Sequence, residues 1–130
     1  PALLGHAKVI AMPHIGASTE ESEENCAVMA ANQLMDYLEN GNIVNSVNFP
    51  AVSMGRTEGT TRITFSNDNV SGVLGHVLGV LADKQVNVVD MVNKSRGDLA
   101  FNIIDVQGAP EAHVITAIEA VEHVIRVRVI

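Results

Sequence analysis

Among 130 residues the chain has one cysteine, no tryptophan, one tyrosine and three phenylalanines. The single thiol, Cys26, excludes an internal disulfide and any C-x-x-C metal or redox motif, and a reducing, cytoplasmic setting is the simplest expectation. Basic residues are scarce as well: eight Lys and Arg stand against fifteen Asp and Glu, a formal net charge of −7. That balance, with few aromatic rings to stack on bases, argues against nucleic acid as a partner. The longest uncharged stretch, Asn40 to Gly55, is broken by Gly, Asn, Ser and Pro. It falls short of the about 18 to 20 apolar residues that a membrane helix requires, so no membrane partner is expected. No basic region followed by an apolar run marks a secretory signal. What the chain does have is 47% hydrophobic residues and 18% charged, the composition of a folded protein.

The charge is unevenly spread: one base and six acids precede Pro50, net −5, whereas seven bases and nine acids follow it, net −2. The chain opens on Pro1 with no initiator methionine, so a piece of a longer protein is expected. Residues 8 to 12, Lys-Val-Ile-Ala-Met, form a short apolar run stopped by Pro13 and read as one buried strand. Its sheet neighbours are missing, since no other strand candidate precedes the long helix that follows. That helix is expected over 19–40, with Ser18 as N-cap and Glu21 three residues on, acids in its first turns, an apolar stripe from Ala27 to Leu38, and Asn40-Gly41 as its stop. An extended segment then leads through Phe49-Pro50 to a linker at 51–60, where the domain boundary is placed.

Residues 61–130 have a more complete pattern. Ile63 and Phe65 alternate with Arg62, Thr64 and Ser66 as in a half-buried strand, and Asn67-Asp68-Asn69 ends it. Val73, Leu74, Val77, Leu78 and Leu81 form a helical stripe. Val86 to Val92 and Leu99 to Val106 are strands joined by a turn at Lys94 to Asp98. Val114, Ile115, Ile118 and Val121 form a second helix after Pro110. Val124 to Ile130 closes as a strand with Arg126 and Arg128 on its solvated face. The order βαββαβ is the ferredoxin-like α+β plan, an antiparallel sheet with two helices on one face. With one face uncovered, Val86, Val88, Val89 and Met91 are not all buried internally, and a homodimer is expected.

His14 lies in a loop between a strand end and a helix start, where an exposed imidazole can act as acid or base near neutral pH. Histidines 6, 76, 113 and 123 have no ligand-spaced partner, and no metal site is expected. Cys26 sits among carboxylates that disfavour a thiolate. Gly72, Gly75 and Gly79 are spaced for a helix, and no G-x-G-x-x-G follows a strand, so no cofactor is expected on this chain. A small self-contained enzyme using His14 with Glu20 or Glu21 would lack a bound, positioned substrate.

The stretch KVIAMPHIGASTEESEENCAVMAANQLMDYLENGNIVNSVNFP resembles the end of the catalytic core of the D-2-hydroxyacid dehydrogenases. The resemblance implies that residues 1–50 are the C-terminal remnant of a Rossmann-type, NAD-binding core, that His14 is the acid/base residue of hydride transfer, and that NAD serves the parent enzyme. Its dinucleotide loop and the histidine's glutamate and arginine partners find no match here, so the chain alone is expected to be inactive. The stretches NVSGVLGHVLGVLADKQVNVVDMVNKSRGDLAFNIID and HVIRVRVI resemble the ACT domain, a small amino-acid-sensing module, over 61–130. That likeness implies an effector at the interface of two modules, L-serine or another amino acid. The loop Asn67, Asp68, Asn69, Val70 and Ser71, with Asn87 at the start of the second strand, would contact it. Asn side chains offer both donors and acceptors to a zwitterion, and the main-chain N–H groups of Gly72, Val73 and Leu74 suit its carboxylate. Ser71 stands where the module usually has proline, and Asn67 where a serine-binding relative has histidine. An assembly module without ligand sensing is the alternative.

Overall fold

A computed structural model describes residues 3–16 and 18–130. Its contacts divide the chain into two units, Pro1–Asn32 and Gln33–Ile130. In the first, residues 8–12 form no strand, and Ile10 is 88% exposed. A lone strand has no ladder to satisfy its backbone, and among the described residues no neighbour supplies one. The long helix α1 (Glu20–Asn40) follows, with Glu20, Glu21 and Glu23 in its first turn. Its cap is Thr19 rather than Ser18. The Ser22 N–H donates to Thr19 Oγ1 at 3.2 Å, while the Ser18 hydroxyl turns back to the Gly16 carbonyl at 2.9 Å.

The second unit contains β1 (Thr60–Asp68), α2 (Val73–Asp83), β2 (Val88–Arg96), β3 (Leu99–Gln107), α3 (Ala112–Glu119) and β4 (Val124–Val129). The four strands form one antiparallel sheet in the order β2-β3-β1-β4, the ferredoxin-like arrangement. The hairpin between β2 and β3 is tighter than the sequence suggested. Arg96 pairs with Leu99, leaving only Gly97 and Asp98 to turn the chain. Gly97 adopts φ 58° at the first central position, which a two-residue turn of the II′ kind demands.

One sheet face packs on α2 and α3. Ile63, Phe65, Ile104, Val106 and Val127 from the strands meet Val77, Leu81, Val114 and Ile118 from the helices. Val86, Val88 and Met91 pack at the margin of this core, while Val89 stays 45% exposed. The opposite face is covered too, by the chain that precedes β1. Ile43, Val52 and Met54 are buried against Phe101 and Ile103, with Tyr37, Phe49 and Val92 around them. Ile43 and Val52 hold one another in a two-bond antiparallel bridge, N···O 2.8 and 3.0 Å. The segment expected as linker therefore contributes Val52 and Met54 to the body of the second unit. Covering both faces removes the exposed-sheet argument for a dimer.

Arg62 holds this second layer in place. It was expected on the polar side of a half-buried strand, yet it is fully buried, as is Asp105 directly opposite it on β3. Nε and Nη2 donate to the two carboxylate oxygens at 2.7 and 2.8 Å. Nη1 donates to the carbonyls of Asn40 at 2.9 Å and Met54 at 2.8 Å, and Nη2 to that of Gly55 at 2.6 Å. Five bonds use all five N–H groups of the guanidinium, the condition under which a buried ion pair is tolerated. Asn40 ends α1, and Gly41 follows in the left-handed region, φ 73°, where an added Cβ would lie 2.5 Å from Thr64 Cγ2. The stop anticipated at Asn40-Gly41 is thus also a close approach of loop to sheet.

Removing one partner leaves a buried charge unmatched. Arg62→Met and Asp105→Asn are each expected to lose about 3 to 5 kcal/mol of unfolding free energy. The pair replaced together should lose less than the sum of the two. Urea denaturation of the single and double variants measures both quantities.

Candidate functional site

Asn67 is the next-to-last residue of β1 and is only 4% exposed. Its Nδ2 donates to the Asp68 carbonyl at 2.7 Å, and its Oδ1 accepts from Asn102 Nδ2 at 2.7 Å. Asn102, fully buried on β3, also donates to the Phe65 carbonyl at 3.3 Å and accepts from Asn93 Nδ2 of β2 at 2.6 Å. Three asparagines thus form a side-chain chain across β2, β3 and β1 on the helix side of the sheet. Sequence reasoning passed over Asn93 and Asn102. The signal was there, since Asn102 and Asp105 are the two polar residues of the apolar run Leu99 to Val106. A run that apolar marks a strand covered on both faces, and polar residues inside it must find partners.

Beyond Asn67 the loop is clamped to the β2–β3 hairpin. The Asn69 N–H donates to the Asp98 carbonyl at 2.8 Å and its Nδ2 to that of Gly97 at 2.9 Å. The Val70 N–H turns back to Asp68 at 2.8 Å, and Val70 and Ser71 are exposed. Gly72 stands at the N-cap of α2 with φ 92°, and no side chain caps the helix. A Cβ there would meet only His76 Cε1 at 3.9 Å, so backbone conformation rather than space calls for glycine. Val73 is buried and Leu74 packs on the core, so these two residues have only main-chain N–H groups to offer. Such N–H groups at a helix start suit a carboxylate.

Asn87 lies elsewhere. It precedes β2, where its carbonyl accepts from the Gln107 N–H at 2.9 Å and its Nδ2 donates to Gln107 Oε1 at 3.3 Å. Gln107 pairs with Thr60 at the start of β1, whereas Asn69 follows the end of that strand. At about 3.4 Å per residue the nine-residue strands set Asn87 and Asn69 roughly 25 to 30 Å apart in one chain. The loop gathers Asn67, Asn69, Val70, Ser71, Gly72, Val73 and Leu74, and leaves out Asn87.

His14 is exposed in an irregular stretch of the first unit and makes no side-chain hydrogen bond or ion pair among the described residues. Neither Glu20 nor Glu21 pairs with it. Arg128, expected on a solvated strand face, instead lies 4.8 Å over the Tyr37 ring and donates to the Leu38 carbonyl at 3.1 Å. A cation at the carbonyl end of α1 is favoured by the helix dipole. A cavity of about 360 Å³ beside that end of α1 is lined by Leu34, Tyr37, Ile43, Val44 and Phe49, with Gln33, Asn42 and Ser46 as its polar members.

Residues 61–123 match the family described as the ACT domain. Over nearly the whole chain the similar proteins are D-3-phosphoglycerate dehydrogenases. The one from Haemophilus influenzae is 30% identical over 122 residues, covering 94% of this chain and 30% of that protein. The Escherichia coli K12 protein is 30% identical over 124 residues, again 94% of this chain and 30% of the relative. D-3-phosphoglycerate dehydrogenase 2 of Saccharomyces cerevisiae is 34% identical over 110 residues, 82% of this chain and 23% of the relative. The chain therefore spans less than a third of the length of these relatives. No helix among the described residues is long and apolar enough to cross a membrane.

The asparagine chain makes a measurable demand. Asn102→Val strips Asn67 Oδ1 of its donor in a buried site and is expected to cost about 1 to 3 kcal/mol. Asn93→Ala takes the donor from Asn102 Oδ1, which is itself fully buried, and is expected to cost an amount of the same order. Urea denaturation gives both values, and amide NMR shifts at Asn67 and Asn69 should move in the Asn102 variant alone.

Proposed function

Residues 61–123 belong to the ACT-domain family, and on that premise we propose that this chain is the regulatory portion of a D-3-phosphoglycerate dehydrogenase of serine biosynthesis, binding L-serine between two copies. The observation that carries the reading is the split of the expected contacts between the two ends of one sheet. Asn69 and the α2 N-terminus lie at one end and Asn87 at the other. β2 is an edge strand with unpaired backbone groups along its outer side. A second copy set antiparallel along that edge brings its Asn87 end against the Asn69 end of the first. A zwitterion held there would set its carboxylate on the α2 N–H groups and Ser71, and its ammonium on asparagine carbonyl oxygens, Asn69 Oδ1 from one copy and Asn87 Oδ1 from the other.

Feedback in this reading is linkage. An effector that binds one arrangement of the paired modules better shifts the population toward it, typically with ~1 to 3 kcal/mol of coupling. The segment 41–55, fixed to the sheet through Arg62, would carry that shift toward α1. His14 would be the acid/base residue of the parent dehydrogenase. The residues present here do not fit NAD itself, because Gly75 and Gly79 lie within α2 and the turn before that helix has no G-x-G-x-x-G. No catalytic step is assigned to this chain on its own.

A second reading, paired modules that assemble subunits without sensing a ligand, draws support from the side-chain bonds already made by Asn69 to Gly97 and by Asn87 to Gln107. Calorimetric titration with L-serine, with glycine and L-threonine as controls, separates the two. The sensor reading expects saturable serine binding, weakened about tenfold or more by Asn69→Ala and by Asn87→Ala. Because each site takes one asparagine from each copy, mixing the two variants should restore one intact site in every mixed dimer. A folded dimer that takes up no serine supports assembly alone, and failure of the mixture to recover binding overturns the shared site.

A further inference from the structure

On the sheet face away from α2 and α3, β1 and β4 pair with Thr64 opposite Arg128 and Ser66 opposite Arg126. These four residues, with Phe65 between the two hydroxyl-bearing ones, line a cavity of about 90 Å³ whose other wall is Tyr37, Phe49 and Phe101. Phe49 meets Phe101 edge to face, ring centroids 5.9 Å apart, and Tyr37 is tilted on Phe101 at 6.5 Å. The pocket is thus basic and hydroxylic on one side and aromatic on the other. No carboxylate lines it, and among the described residues neither Arg126 nor Arg128 lies within ion-pair distance of an acid. In a chain of net charge −7, two arginines side by side on one strand and both without an acid leave positive charge for a mobile anion to meet.

We propose that this cavity binds a small organic carboxylate, with the carboxylate on Arg126 and the Thr64 and Ser66 hydroxyls and its hydrocarbon part against Phe49 and Phe101. Arg128 is already engaged with the Tyr37 ring and the Leu38 carbonyl, so it shapes the wall and adds charge, while Arg126 is the free fork. The volume holds several waters, since one needs about 10 to 15 Å³, and so suits a headgroup with a short chain rather than a large ligand. The aromatic wall selects a carboxylate over inorganic phosphate, which would leave those rings without a partner. The face is opposite the one that carries Asn67, Asn93 and Asn102, and none of the expected effector residues lines the cavity.

The test is NMR titration of the full 130-residue chain with sodium butyrate, with butyramide and inorganic phosphate as parallel titrants. The amides of Ser66, Phe101 and Arg126 should shift saturably with butyrate. Arg126→Gln, at an exposed position, should weaken binding about tenfold or more, as should the uncharged amide. Phosphate should bind more weakly than butyrate. No saturable shift at these amides into the tens of millimolar, unchanged affinity in the Arg126 variant, or phosphate binding as tightly as butyrate would each overturn the proposal. So would shifts confined to residues 67–74.

Discussion

The fully buried guanidinium of Arg62 is the constraint from which the rest of the second unit follows. A charge taken out of water is tolerated only when every hydrogen-bonding position is filled, and Asp105 can fill only two of five. The other three go to main-chain carbonyls of Asn40, Met54 and Gly55. The end of α1 and the chain leading to β1 must therefore lie on the sheet for Arg62 to be buried at all. Their apolar side chains then cover the face that the two helices leave open. Ion pair and second core layer thus stabilise each other.

With both faces covered, the sheet's remaining open backbone lies along its edges. This shifts the case for a paired molecule from an exposed apolar face to the unpaired outer side of β2. In the proposed pair it would also give the split between Asn69 and Asn87 a geometric meaning, because an antiparallel neighbour on that edge inverts the sheet end for end. The asparagine chain from Asn93 through Asn102 to Asn67 stiffens the end of β1 from which the loop departs. Asn69 is held to the hairpin by two bonds, so the sheet adds to the loop's own turn bonds in fixing its course.

Local signals were legible where local physics decides. The alternation of Ile63 and Phe65, the stripes of α2 and α3, and the glycine at the hairpin were enough to establish the βαββαβ order. The helix ended where Asn40-Gly41 indicated, although its cap lay one residue away from the serine chosen. Less was legible wherever a residue's partner lies far along the chain. Arg62 and Arg128 looked like solvated strand positions because a lone strand pattern cannot say what will cover its polar side. Residues 8–12 looked like a strand because an apolar run carries no information about whether a neighbour exists to pair with it.

By itself the sequence determined the class of the fold and the order of its elements, since these rest on periodicity, turn chemistry and side-chain inventory. Only the tertiary structure decided that the sheet is covered on both sides, that Asp105 and three carbonyls satisfy Arg62, and that Asn87 stands a full strand length from the loop it was grouped with. Each of these depends on which distant residues meet. That is settled by the cost of leaving a buried charge or amide unpaired, a cost that exists only once the chain has closed around it.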